Sequence, residues 1–185
     1  MSVNRNFRKQ FWENKKMIGS MTPSSRFLTK KMLENIDFES TKTIVELGPG
    51  NGVFTEEIIS RMSKDAVLLV FELNETLYLD LTERITDNRV HLIHDSAEKI
   101  QEYLKKFNIE TADVVVSSLP LAVFPNELRK NILNAAESSL THSGKYIQFQ
   151  YSLQSKEILK KMYKKVKIGF TPLNFPPAFI YTCYK

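Results

Sequence analysis

The sequence predicts an α/β fold: a mostly parallel sheet with helices on both faces, closed by an antiparallel C-terminal hairpin. Three observations carry this expectation. From residue 43 onward, short runs rich in β-branched residues alternate with amphipathic helical patterns. A glycine-rich loop stands where the first of these strands turns into a helix. The last two apolar runs are joined by a connection too short for a parallel crossover.

The strand-like runs are Thr43–Leu47, Val67–Phe71, Val90–Ile93 and Asp113–Val116, separated by helical patterns around residues 52–62, 75–85 and 97–107. That rhythm implies crossover connections and hence a parallel order. A helix is expected at about 126–139: Pro125 and Asn126 offer a start, and Leu128, Ile132, Leu133, Ala136 and Leu140 recur with helical period. Gly144 is expected to end it. Lys145–Gln150 reads as a fifth strand, followed by a helix near 153–163 and a run at Val166–Phe170. A Pro-rich turn at Thr171–Pro177 then leads into Ala178–Tyr184, and the last two runs pair as a hairpin.

A chain of 185 residues with 42% hydrophobic and 25% charged residues suits one globular domain and excludes a disordered or fibrous chain. The expected division is a basic amphipathic segment over 1–31 and the main domain over 32–185. The lone Cys183 cannot form an internal bridge, and no secretory leader is evident, which points to a reducing cytosol. No run is apolar enough to span a bilayer, so the expected location is cytoplasmic, at most peripheral on the inner membrane face.

The net charge of +5 is unevenly spread. Arg5, Arg8, Lys9, Lys15, Lys16, Arg26, Lys30 and Lys31 face only Glu13 within the first 31 residues. A second cluster, Lys156, Lys160, Lys161, Lys164, Lys165 and Lys167, is opposed by Glu157 alone. Such patches suit an anionic partner, lipid headgroups or nucleic acid, or simply a solvated helix face. At the amino terminus Val3, Phe7, Phe11 and Ile18 form one narrow helical stripe, with Arg5, Lys9 and Lys16 opposite and Trp12 near the boundary. This is the layout of an interfacial helix or of a lid packed on its own domain. His91 and His94 read as structural, and no metal-ligand spacing is present.

The strongest chemical signal is the segment Val45-Glu46-Leu47-Gly48-Pro49-Gly50-Asn51-Gly52-Val53. Glycines let a backbone approach a ligand, and the helix start behind them offers free N–H donors. The G-x-G-x-G spacing departs from the G-x-G-x-x-G of a dinucleotide site, and no Walker lysine follows. Glu72, at the end of the second strand, stands where a carboxylate accepts ribose hydroxyls. Asp95, after the third strand, stands where one accepts an adenine amine or caps a helix.

This set resembles the Rossmann-like, seven-stranded S-adenosylmethionine-dependent methyltransferases over residues 40–185. The resemblance implies S-adenosyl-L-methionine as cofactor, leaving S-adenosylhomocysteine. It implies cofactor contacts from Glu46, Gly48, Gly50 and Gly52, from Glu72 and Leu73, from Asp95, Ser96 and Ala97, and from Ser118 and Leu119.

After the fourth strand comes Ser117-Ser118-Leu119-Pro120-Leu121-Ala122-Val123-Phe124-Pro125, which resembles the Asn-Leu-Pro-Tyr loop of adenine and cytosine N-methyltransferases, ribosomal RNA adenine dimethyltransferases included. Here serine replaces the amide and Leu121 replaces the stacking ring, and the extra helical domain of the ribosomal enzymes is not expected. Together with Gly19-Ser20-Met21-Thr22-Pro23-Ser24-Ser25-Arg26 and Asn174-Phe175-Pro176-Pro177-Ala178, the loop is similar to small bacterial phospholipid N-methyltransferases acting on phosphatidylethanolamine.

In that resemblance Phe7, Lys9, Phe11, Trp12 and Lys16 attach the enzyme to an anionic membrane, while Thr22, Ser24 and Ser25 cover the cofactor. Ser117, Ser118 and Tyr151 are the catalytic candidates to orient the amine, and Phe124, Phe175 or Tyr181 could hold a methylated cation. An RNA or DNA amino-group methyltransferase and a non-catalytic cofactor-binding protein are the alternatives.

Overall fold

The computed structural model describes residues 25–185. The expected amphipathic helix, with Phe7, Lys9, Phe11, Trp12 and Lys16, lies outside the described residues, as do Thr22 and Ser24.

The first described helix is α1 (Arg26–Leu33), capped by the Ser25 hydroxyl, which accepts the Leu28 N–H at 3.2 Å. Then follow β1 (Thr43–Leu47), α2 (Val53–Arg61), β2 (Val67–Phe71), α3 (Glu75–Arg84) and β3 (Val90–Ile93). A short 3₁₀ turn (Ala97–Lys99) enters α4 (Ile100–Lys106), and β4 (Ala112–Ser117) leads through a second 3₁₀ turn (Leu121–Val123) into α5 (Asn126–Ser139). The chain closes with β5 (Leu140–Gln150), α6 (Lys156–Met162), β6 (Lys165–Thr171) and β7 (Ala178–Tyr184).

The strands form one seven-stranded sheet in the order β3-β2-β1-β4-β5-β7-β6. All pairs are parallel except β5 with β7 and β7 with β6, so the expected hairpin is present and also supplies one edge. Alternate residues face opposite sides, as the period-2 geometry of a strand requires. Val45, Leu47, Leu69, Phe71, Val115, Tyr146 and Tyr181 pack under α4, α5 and α6, while Ile44, Leu68, Val70, Val114, Ile147 and Ile180 pack under α1 and α2. Each fully buried aliphatic or aromatic side chain contributes about 1.5–3 kcal/mol, so both faces must be covered for the strands to hold.

One boundary differs from expectation. Gly144 does not end α5, which stops at Ser139 and passes directly into β5 at Leu140. Leu140 pairs with Ala112 and Lys145 with Val114, so residues 141–144 bulge from the ladder. Gly144 belongs to that bulge, where a Cβ would stand 2.9 Å from Leu140 Cβ and 3.0 Å from the Thr141 carbonyl.

Candidate active site

In the strand order, β2 and β4 flank β1 on opposite sides, which opens a crevice at the carboxyl ends of the parallel strands. The ladder continues one residue past each strand. Gly48 N–H donates to Phe71 O at 2.9 Å, Ser118 N–H to Leu47 O at 2.9 Å, and Glu72 N–H to Ile93 O at 3.0 Å. Three loops therefore leave the sheet side by side.

Gly48 takes φ +69°, and a Cβ there would lie 2.6 Å from Leu119 Cδ2, so only glycine lets the loop after β1 lie against the loop after β4. Gly50 also takes a left-handed φ, +61°, but a Cβ there would meet nothing within 4 Å; the turn, not crowding, demands glycine. Gly52 is the N-cap of α2.

Two carboxylates stand beneath this loop. Glu72 is 1% exposed; its Oε2 accepts the Gly50 N–H at 3.3 Å and its Oε1 the Asn74 N–H at 2.8 Å, tying the glycine loop to the β2–α3 connection. Glu46 is fully buried, and among the described residues neither of its oxygens has a hydrogen-bond partner. Burial pushes its carboxyl up to about 8; the neighbouring Thr55 hydroxyl opposes this without closing a hydrogen bond, and the charge of Glu72 adds to it.

Asp95 is not the cap of the following turn. Ser96 is, its hydroxyl accepting the Glu98 N–H at 3.3 Å. The Asp95 carboxylate instead takes the Ser96 N–H at 2.7 Å, Lys99 Nζ at 2.9 Å and the Tyr103 hydroxyl at 3.1 Å. Burial alone would raise its pKa, but these donors outweigh it and hold the group below the usual carboxylate range.

The cleft between these loops is lined by Gly48, Phe71, Glu72, Leu73, Asp95, Ser96, Ala97, Leu119, Phe124, Leu128 and Ile132. Seven of the sequence-predicted cofactor residues and Phe124 thus converge, and Gly50 is tied to them through Glu72, whereas Gly52 packs toward Leu81 and Arg84 of α3. Ser117 is fully buried, and its hydroxyl accepts the Leu119 N–H at 3.4 Å. The Ser118 hydroxyl is buried without a partner among the described residues.

Four candidates lie elsewhere, among them Phe175, which is 83% exposed in the connection between β6 and β7. Tyr151 is 38% exposed, with its hydroxyl beside the Asn174 side chain and away from the cleft lining. Tyr181 is buried against the sheet, its hydroxyl donating to Ser152 O at 3.1 Å. Ser25 caps α1, and its backbone N–H donates to Asn174 Oδ1 at 3.1 Å, which ties it to the β6–β7 connection.

Sequence reasoning missed Phe71, Leu128 and Ile132, whose helical or strand periodicity does not distinguish a wall of the cleft from core. It also missed Gln148. This fully buried amide donates from Nε2 to Leu119 O at 3.0 Å and accepts the Tyr146 hydroxyl at Oε1. A polar residue at a buried strand position was the available signal.

Comparison with known proteins agrees with this geometry. A family profile described as ribosomal RNA adenine dimethylase matches residues 4–166. An ornithine lipid N-methyltransferase of Singulisphaera acidiphila is 31% identical over 180 residues, covering 96% of this chain and 93% of that protein. A ribosomal RNA small subunit methyltransferase A of Ureaplasma parvum is 25% identical over 173 residues, and the match covers 85% of this chain but 57% of that enzyme. In fold, the precorrin-6y C5,15-methyltransferase of Geobacter metallireducens superposes with a TM-score of 0.69 at 15% identity, covering 87% of this chain and 89% of that one. The chain belongs to the ribosomal RNA adenine dimethylase family, matches the lipid N-methyltransferase over nearly its whole length, and is an S-adenosylmethionine-dependent methyltransferase.

Proposed function

We propose that the protein methylates the headgroup amine of a membrane lipid, of the phosphatidylethanolamine or amino-acid-lipid class, at the cytoplasmic membrane face. The observation that carries this reading is the loop after β4. Leu121, at the position of the base-stacking ring, is fully buried, so the loop offers no aromatic there for a flipped base. The full-length similarity to a lipid-modifying enzyme supports the same reading.

The residues present fit the cofactor. Glu46 is an orphaned buried carboxyl, suited to an ammonium beneath the glycine loop, and Glu72 suits ribose hydroxyls. Asp95 and the Ser96 and Ala97 segment suit an adenine edge, and Phe71, Ala97, Leu128 and Ile132 give the apolar walls a flat ring needs. When bound, the cofactor supplies an electrophilic methyl group on a sulfonium.

The rest falls to the chain. The Leu119 carbonyl and the Ser118 hydroxyl are the acceptors that would orient an amine, and Gln148 holds that carbonyl from behind. Leu119 and Phe124 exclude water from the approach. An ammonium must release its proton to solvent before its nitrogen can attack, and the Ser118 hydroxyl would then accept an N–H of the neutral amine and hold its lone pair in line. Tyr151 has no part in orienting the amine on this reading, since its hydroxyl is beside the Asn174 side chain in the connection between β6 and β7.

Radiolabelled methyl transfer into total bacterial lipid and total RNA, side by side, tests the reading. Label in the organic phase is expected. Label in RNA alone would favour the adenine reading that the family profile suggests.

A further inference from the structure

The carboxyl edge of the sheet carries a second feature that cofactor binding does not use. Asn174 is 7% exposed in the connection between β6 and β7, where it accepts the Ser25 N–H at 3.1 Å and donates to Pro176 O at 2.7 Å. This staple holds the tip of the connection against the start of α1 and turns its neighbours outward. Leu173 is 59% exposed and Phe175 83%. Phe170, three residues before Leu173 on β6, is 50% exposed, Phe27, two residues after Ser25, is 43% exposed, and Tyr151 lies beside Asn174.

Large apolar side chains held outward at one tip by a buried amide mark an interaction surface. Thr171 pairs with Ala178, and Phe179 with Gln150 at the end of β5, so the tip lies on the same edge of the sheet as the cleft. Cations border it. Arg26 and Lys30 are exposed on α1, which starts at the Asn174 contact, while Lys160, Lys161, Lys164 and Lys167 are exposed further off, toward the amino end of the outer strand.

We infer that this tip is a bilayer-docking surface, with Leu173 and Phe175 entering the headgroup and acyl boundary of an anionic phospholipid membrane while Arg26 and Lys30 meet its phosphates. The occupant follows from the pairing of apolar tip with cationic border, and from the shared edge, which brings the cleft to the membrane plane. The use of the surface rests on the lipid-amine reading above; its geometry does not.

The test uses the full chain. Phe175→Trp in a Trp12→Phe background places one indole at the tip. With vesicles of phosphatidylglycerol and phosphatidylethanolamine, its emission should shift to the blue and be quenched by brominated acyl chains, and pure phosphatidylcholine should have little effect. Leu173→Asp with Phe175→Asp should lower the vesicle-bound fraction about tenfold, with S-adenosylhomocysteine binding, read by calorimetry, unchanged.

An indole that stays in water on vesicle-bound protein overturns the inference. So does an indole already shielded from acrylamide without vesicles, which would mean that the chain's own first residues or a second copy cover the tip. Insertion without lipid methylation sustains the docking surface and refutes the lipid-amine reading. Methylation of lipid vesicles with the indole still in water does the reverse.

Discussion

Glu46 couples folding to charge, and on the proposed reading to the cofactor as well. Its carboxyl is raised to about 8 from an ordinary 4.5, so the ligand-free fold loses stability as pH rises through that interval, where the unfolded chain ionises freely and the folded one resists. Glu46→Gln removes the penalty. The melting temperature of the ligand-free variant should fall less between pH 5 and 8, ending on the order of 5 °C above the parent at pH 8. The same change should weaken S-adenosylhomocysteine binding at least tenfold. In the parent, affinity should rise with pH up to about 8, with a proton released on binding, which calorimetry in buffers of different ionisation enthalpy reads directly. Gln148→Leu leaves the Leu119 carbonyl without its buried donor and should lower kcat more than it changes cofactor affinity, whereas loss of packing alone would reduce both with melting temperature.

At the scale of elements, the glycine loop and the loop after β4 act as one unit because Gly48 packs on Leu119. Gly48→Ala adds both a left-handed strain and a contact at 2.6 Å, and it should cost about 1–3 kcal/mol by denaturant unfolding. Pairing it with Leu119→Ala should recover only part of that loss, since the backbone strain remains. The loops were legible in the sequence because their residues encode backbone shape: three glycines after a β-branched run permit few other structures, and acids at the ends of the next two strands fall on the same edge by topology. Leu128 and Ile132 were illegible as site residues because an apolar helical stripe reads the same whether it faces core or cleft. Gly144 was misread because a glycine after a helix usually marks its end, and only the pairing of Leu140 with Ala112 shows a bulge instead. The Asn174 staple joins residues 149 positions apart, beyond the reach of any local pattern.

At the scale of the molecule, the sheet order sets the cleft, the loop after β4 and the exposed apolar tip along one edge. The basic clusters were legible from composition alone, but their bearing on the cleft was not, since it depends on the outer β5-β7-β6 order. Electrostatic capture of the membrane should weaken steeply between low and physiological salt, while the intrinsic cofactor affinity should change little. The most direct measurement of the central claim is the partition of a labelled methyl group from S-adenosylmethionine between lipid and RNA in one reaction. The account predicts label in an amine-bearing lipid, lost in Glu72→Ala; label confined to RNA, or incorporation that survives Glu72→Ala, would contradict it.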